Sequence, residues 1–367
     1  MVVILVSLGV LAWTARRSGC TWRDGLALLA LVLTGVAVLG SLRPLLSNSE
    51  YDDYKLVFKA LGVFDYHDPL GLPHALYRWL HADATSLAPL WGLNLLSGIA
   101  LLSGTYVLGK LAGATLGQAL GAALLFLASS SFLCYGPGLN DMTTFAALAL
   151  FAYILVLLPT LSPAGLFVDT LEWVASAGLL FLASTTRSDA LLLFPLFPLV
   201  IATSRGNTWR KKSFGVAAWT LTLTLLFLSF SLERFWLNTF GHFALRIGDY
   251  AGVAVSDGPV LTLRLLATNG LGVALAVILW RLVAERRPRS TSIALLAPGL
   301  LFVGTYASGT DHSKHQLLLL PFLLPPAILA LAWVAQRRPW AARGITAVLI
   351  AWVAIYGVFL TQGFRGS

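Results

Sequence analysis

The sequence predicts an all-α, polytopic transmembrane helical bundle of about 11–12 spans, with amphipathic helices lying in the interface in its first large extracytoplasmic loop. Three observations carry this. Hydrophobic residues fill 57% of the 367 positions and charged residues only 11%, against roughly 25% charged in soluble domains. So much apolar surface has no interior to hide in, and hydrocarbon must be the solvent for most of the chain. Apolar windows of about 20 residues, the length that crosses a bilayer, recur along the chain. Lys and Arg gather in alternate connecting loops, as they do on the cytoplasmic side of membrane proteins.

The windows fall at 25–46, 88–109, 112–133, 142–160, 171–186, 190–203, 214–231, 265–283, 292–307, 317–335 and 344–361. A further apolar segment, 2–13, is short for a span and is read as a weak extra one. The window 190–203 is also short. The whole chain, 1–367, is expected to be one membrane domain without a separate soluble one. No solenoid repeat or low-complexity tract interrupts it.

Placing 14–24 in the cytoplasm and alternating from there gathers the bases on one side. Arg16, Arg17 and Arg23 lie there, with Lys110, Arg205, Arg210, Lys211, Lys212, Arg281, Arg286, Arg287, Arg289, Arg337, Arg338 and Arg343. The net charge of +9 is then a property of cytoplasmic loops, and no nucleic-acid partner is expected. Cys20 and Cys134 fall on opposite sides, which excludes a disulfide between them. Of the sixteen acids only Asp24, Asp169, Glu172 and Glu285 fall inside. All six histidines fall outside. The rule that set the topology counts only Lys and Arg, so this sorting is independent. It concentrates acid–base capability on the extracytoplasmic face.

The long loops also lie outside. Loop 47–87 carries Val57, Ala60, Leu61 and Phe64, then Leu72, Leu76, Trp79 and Leu80, at the spacing of interfacial amphipathic helices. Loop 232–264 is the second long one.

Four constellations could carry chemistry. Glu50, Asp52 and Asp53 stand together just after the span 25–46. Three carboxylates so close need a proton, a divalent cation or a basic substrate group between them. They suit a general base or a metal or acceptor clamp; the alternative is a solvated loop start that caps the next helix. Asn140-Asp141 opens the span 142–160, as an N-cap or as a functional acid. Arg187 and Asp189 sit between two apolar windows, where ionised groups need partners. Arg187 suits a phosphate ligand, with a local Arg–Asp pair as the alternative. Finally, His312, Lys314 and His315 precede a Leu/Pro run. They could face an anionic headgroup or snorkel to the interface; no third ligand has zinc spacing. His242 and Arg246, in the second long loop, are weaker candidates. No Gly-rich phosphate loop, Gly-x-Ser-x-Gly elbow or Cys-x-x-Cys pair is present.

In order, these patterns resemble the GT-C glycosyltransferases, of the kind that includes protein O-mannosyltransferases and lipid A aminoarabinose transferases (glycosyltransferase family 39-like). The residues are Glu50-Tyr51-Asp52-Asp53, Asn140-Asp141-Met142-Thr143, Ser184-Thr185-Thr186-Arg187-Ser188-Asp189, and His312-Ser313-Lys314-His315-Gln316 before Leu317 to Pro321. Many relatives carry Lys at the position of Arg187, and Arg-Tyr where this chain has Lys314-His315-Gln316. The resemblance implies transfer of a hexosyl or pentosyl group from a polyprenyl-phosphate donor to a hydroxyl on a glycan, lipid or protein, with inversion. It implies an active site outside the bacterial inner membrane, with membrane lipids around it. It makes Asp52 or Asp53 the base and Asp141 an orienting acid. Arg187 and Lys314 become phosphate ligands, with Glu50, Asp189, His242, Arg246, His312 and His315 as further substrate contacts. A divalent cation at Glu50, Asp52 and Asp53 is a further expectation.

Two other functions fit the same membrane setting. A transporter or flippase would bury ionisable groups near the midplane and tends to show internal repeats. A polysaccharide polymerase or ligase would lean on Arg234 and Arg246 of the second long loop.

Overall fold

In the computed structural model the described residues are 2–42, 88–136, 141–204, 207–229, 241, 244, 258–285, 290–307 and 315–363. Among them there is no β-strand. The helices are α1 (Val2–Arg17), α2 (Trp22–Leu42), α3 (Ala88–Leu111), α4 (Leu116–Leu127), α5 (Ser130–Tyr135), α6 (Asp141–Leu161) and α7 (Leu166–Thr186). A 3₁₀ segment, Ser188–Leu193, leads into α8 (Leu196–Thr203). Then come α9 (Trp209–Ser229), α10 (Gly258–Ala267), α11 (Leu271–Ala284), α12 (Ser290–Ala307), α13 (Gln316–Arg337) and α14 (Pro339–Gly363). Among the described residues seven helical stretches, one of them α10 and α11 together, are long and apolar enough to cross a membrane, and four shorter apolar stretches join them. Segment by segment they match the eleven windows of the sequence. The chain is an integral membrane protein. The interfacial helices expected in loop 47–87 lie outside the described residues.

At the centre are α6 and α13, packed against each other. Nearly every side chain of α6 from Met142 to Leu158 is buried, which is why it shows no amphipathic pattern. Small residues let the helices close up. A Cβ on Gly109 of α3 would stand 3.3 Å from the Ala119 backbone of α4. One on Gly215 of α9 would enter the Trp173 ring of α7 at 2.7 Å. This is how membrane helices gain contact without a hydrophobic drive between them. By contrast α2 and α9 are peripheral. Leu26, Leu29 and Leu33 of α2 and Leu221, Leu225 and Leu228 of α9 are exposed, as lipid-facing residues are.

The alternation of spans is supported by ion pairs at one end of the bundle. The Nε of Arg17, at the end of α1, lies 2.8 Å from Glu172 of α7. Its Nη2 lies 3.6 Å from Asp169, and Lys211 of α9 also pairs with Asp169. Lys110, at the end of α3, is 3.2 Å from Asp24 of α2, which also accepts a 2.5 Å bond from the Tyr106 hydroxyl. Glu285 is held by Arg281 at 3.0 Å. These are the four acids that the charge rule assigned to the cytoplasm, and each has a basic partner assigned to the same side. Burial pushes the nearby Cys20 thiol up to about 11, so it is a protonated, unreactive thiol at neutral pH. Cys20 and Cys134 form no disulfide. Trp22, Trp209 and Trp340 are all exposed at this basic end, as an aromatic belt at a headgroup region would be.

Three windows that read as continuous spans are interrupted. The window 112–133 is α4 and α5, broken where the Ser129 hydroxyl caps α5 by accepting the Phe132 N–H. The window 265–283 is broken at Asn269 (φ 53°) and Gly270 (φ 68°), between α10 and α11. The window 190–203 is a 3₁₀ segment followed by the eight residues of α8, with Pro195 between them. One or two polar or turn-forming residues do not lower a window average enough to show such breaks. The weak span 2–13 belongs to a helix of 16 residues, α1, about 24 Å long and short of the bilayer core.

Candidate active site

Following the alternation, all three breaks lie toward the end of the bundle opposite the ion pairs. Two of them share one buried polar cluster. The Asn269 side-chain oxygen accepts from the N–H and the hydroxyl of Ser130, at 2.8 and 2.7 Å. Its amide nitrogen donates to the Ser131 hydroxyl at 2.8 Å and to the Gln316 side-chain oxygen at 2.7 Å. Gln316 in turn donates to the Leu265 carbonyl at 3.0 Å. Asn269 is a non-glycine residue in the left-handed region, where Asn is better tolerated than other L-residues. Its side chain therefore ties α5, the α10–α11 break and the start of α13 into one unit. Sequence reasoning does not single out Asn269 or Ser130. Asn-Gly inside an apolar window and three consecutive serines are the available signals.

The α7 end is built differently. Ser184, Thr185 and Thr186 turn their hydroxyls back onto carbonyls of their own helix, at 2.7–3.0 Å. This self-satisfaction lets polar residues sit in an apolar bundle. Arg187 leaves the helix in extended geometry, its N–H still bonded to Ala183. Its Nε meets Asp189 Oδ2 at 2.9 Å, with both side chains more than nine-tenths buried. The local Arg–Asp pair anticipated as an alternative is present. Asp189 fixes the plane of the guanidinium and offsets its charge.

Asp141 is the first residue of α6, at the mouth of the most enclosed helix. His315 stands just before α13, buried beside Gln316. Between Asp141 and Arg187 the packing is continuous, since α6 and α7 run side by side. Next to Asp141, the Thr144 hydroxyl shares a 3.1 Å bond with Ser97 of α3. Glu50, Asp52, Asp53, His242, Arg246, His312 and Lys314 lie outside the described residues, and so does the candidate cation site.

The fold of this bundle, with interrupted spans and a buried polar layer toward one face, is found among solved membrane-protein structures. Among solved structures it is similar to ArnT from Cupriavidus metallidurans, determined bound to undecaprenyl phosphate. The TM-score is 0.60 and the identity 14%, over 92% of this chain and 75% of that one. At that identity the likeness is one of fold. No family model matches the chain, and no curated protein matches it.

Proposed function

We propose that the chain is a membrane glycosyltransferase that moves a sugar from a polyprenyl-phosphate donor to an acceptor hydroxyl, on the extracytoplasmic face. The observation that carries this is the fold shared along 92% of the chain with ArnT, a protein whose structure holds undecaprenyl phosphate. The order of Asp52, Asp53, Asp141, Arg187 and Lys314 along the chain agrees with it.

In this reading the acceptor oxygen attacks the anomeric carbon and its proton passes to Asp52 or Asp53. The bond from the anomeric carbon to the phosphate oxygen breaks, and the polyprenyl phosphate leaves. A phosphodiester becomes a monoester, so one negative charge develops on the leaving group. Arg187, oriented by Asp189, and Lys314 stabilise that charge. Asp141 orients sugar or acceptor hydroxyls. Glu50, His242, Arg246, His312 and His315 complete the substrate contacts. A divalent cation, where one takes part, would be held by Glu50, Asp52 and Asp53. Attack from the face opposite the departing phosphate inverts the anomeric centre. The setting proposed is a bacterial inner membrane, with the basic end of the bundle in the cytoplasm.

The test is a transfer assay in nanodiscs with a radiolabelled polyprenyl-phosphate sugar and a panel of acceptors. Asp52→Asn or Asp53→Asn should lower turnover by about 10²–10⁴-fold while the protein still folds. Full transfer in both single variants would remove the base assignment. Absence of any transfer, together with counterflow of a solute, would replace the enzyme by a transporter.

A further inference from the structure

The end of the bundle away from the proposed reaction holds a second feature. A cavity of about 300 Å³ opens between the ends of α11 and α13, lined by Trp280, Glu285, Trp333, Val334, Arg337 and Arg338. From this we infer that it is a binding site for the phosphate headgroup of an anionic phospholipid in the leaflet at the basic end.

Charge comes first. Two helices end here, and their terminal carbonyls alone would repel an anion. Arg337 and Arg338 reverse that sign. Glu285 does not cancel them, because Arg281 already holds it at 3.0 Å. Among the described residues neither Arg337 nor Arg338 pairs with a carboxylate. Shape comes second. The Arg337 guanidinium stacks over the Trp333 ring, 4.1 Å from its centroid, which fixes the plane of its donors for phosphate oxygens. Depth comes third. Trp280 is partly exposed at the rim, at the same end as exposed Trp209 and Trp340. Indole rings mark the headgroup level, and basic clefts between spans at that level take anionic heads. The outward face of α11, with Leu279 and Val283 exposed, gives acyl chains an apolar wall beside the cleft. That wall is why a lipid is favoured over a soluble phosphate.

The test is native mass spectrometry of the purified protein titrated with phosphatidylglycerol, and separately with phosphatidylcholine and inorganic phosphate. Wild type should bind phosphatidylglycerol in preference to phosphatidylcholine, and excess inorganic phosphate should not displace it. Arg338→Ala should weaken binding about fivefold, and Arg337→Ala with Arg338→Ala about thirtyfold. Glu285→Gln, which leaves Arg281 unopposed at the rim, should strengthen it. Unchanged affinity in the folded Arg338→Ala protein, weaker binding in Glu285→Gln, or displacement by inorganic phosphate would each overturn the inference.

Discussion

Pro298 of α12 has no N–H to offer the carbonyl of Ala294, four residues back. Inside hydrocarbon that carbonyl would stand bare. The buried Tyr153 of α6 donates its hydroxyl to it. Tyr153 also packs against Phe197 and Phe322, so one side chain joins α6 to three neighbours. Tyr153→Phe keeps the rings and loses the bond, and should cost about 1–2 kcal/mol. Thermal unfolding in detergent measures this; a melting temperature equal to wild type would mean that another donor reaches Ala294. At the same scale, Arg187 and Asp189 were legible as a pair because they are two residues apart in an apolar setting. Tyr153 was not legible, because its partner lies 141 positions away and only a fold brings them together.

At the scale of the element, the polar breaks tie helices to one another. Asn269 closes four hydrogen bonds among three segments. Asn269→Ala would leave the Ser130 N–H and the Gln316 side chain without that partner, while keeping an L-residue at a positive φ. A loss of about 2–4 kcal/mol is expected. Transfer activity should fall as well, because Gln316 directly follows His315 and the α13 start would lose its anchor. A variant that melts and reacts like wild type would sever the link between this cluster and the site. The helices themselves were readable from hydropathy, since each span needs its own run of apolar residues. Their breaks were not, because a window of about 20 residues averages away one Asn or one Ser. The candidate site is legible in the sequence only as an order of motifs, and most of its residues lie outside the described ones. Local spacing shows that Asp52 follows a span, but not what folds over it.

At the scale of the whole molecule, one face is electrically closed. The four acids assigned to it each meet a base, and the rest of its Lys and Arg leave it positive. Such a face resists translocation. In a protein lacking Cys20 and Cys134, Ala164→Cys, between α6 and α7, should react with a membrane-impermeant maleimide only after the cells are opened. Ser86→Cys, in the first long loop of the sequence, should react in intact cells. The reverse pattern would turn the molecule over and put the proposed chemistry on the cytoplasmic side.

Arg17 and Glu172 stand 155 positions apart. At roughly 5–20 residues per second, the ribosome delivers the second about 8–30 s after the first. For that interval α1 holds its charge at the membrane surface without this partner. The helices on which α1 packs, α3 and α6, precede α7 in the chain, so the Arg17–Glu172 pair can close only after they are made. At this corner of the bundle the charge on one helix waits for an acid on a helix made later.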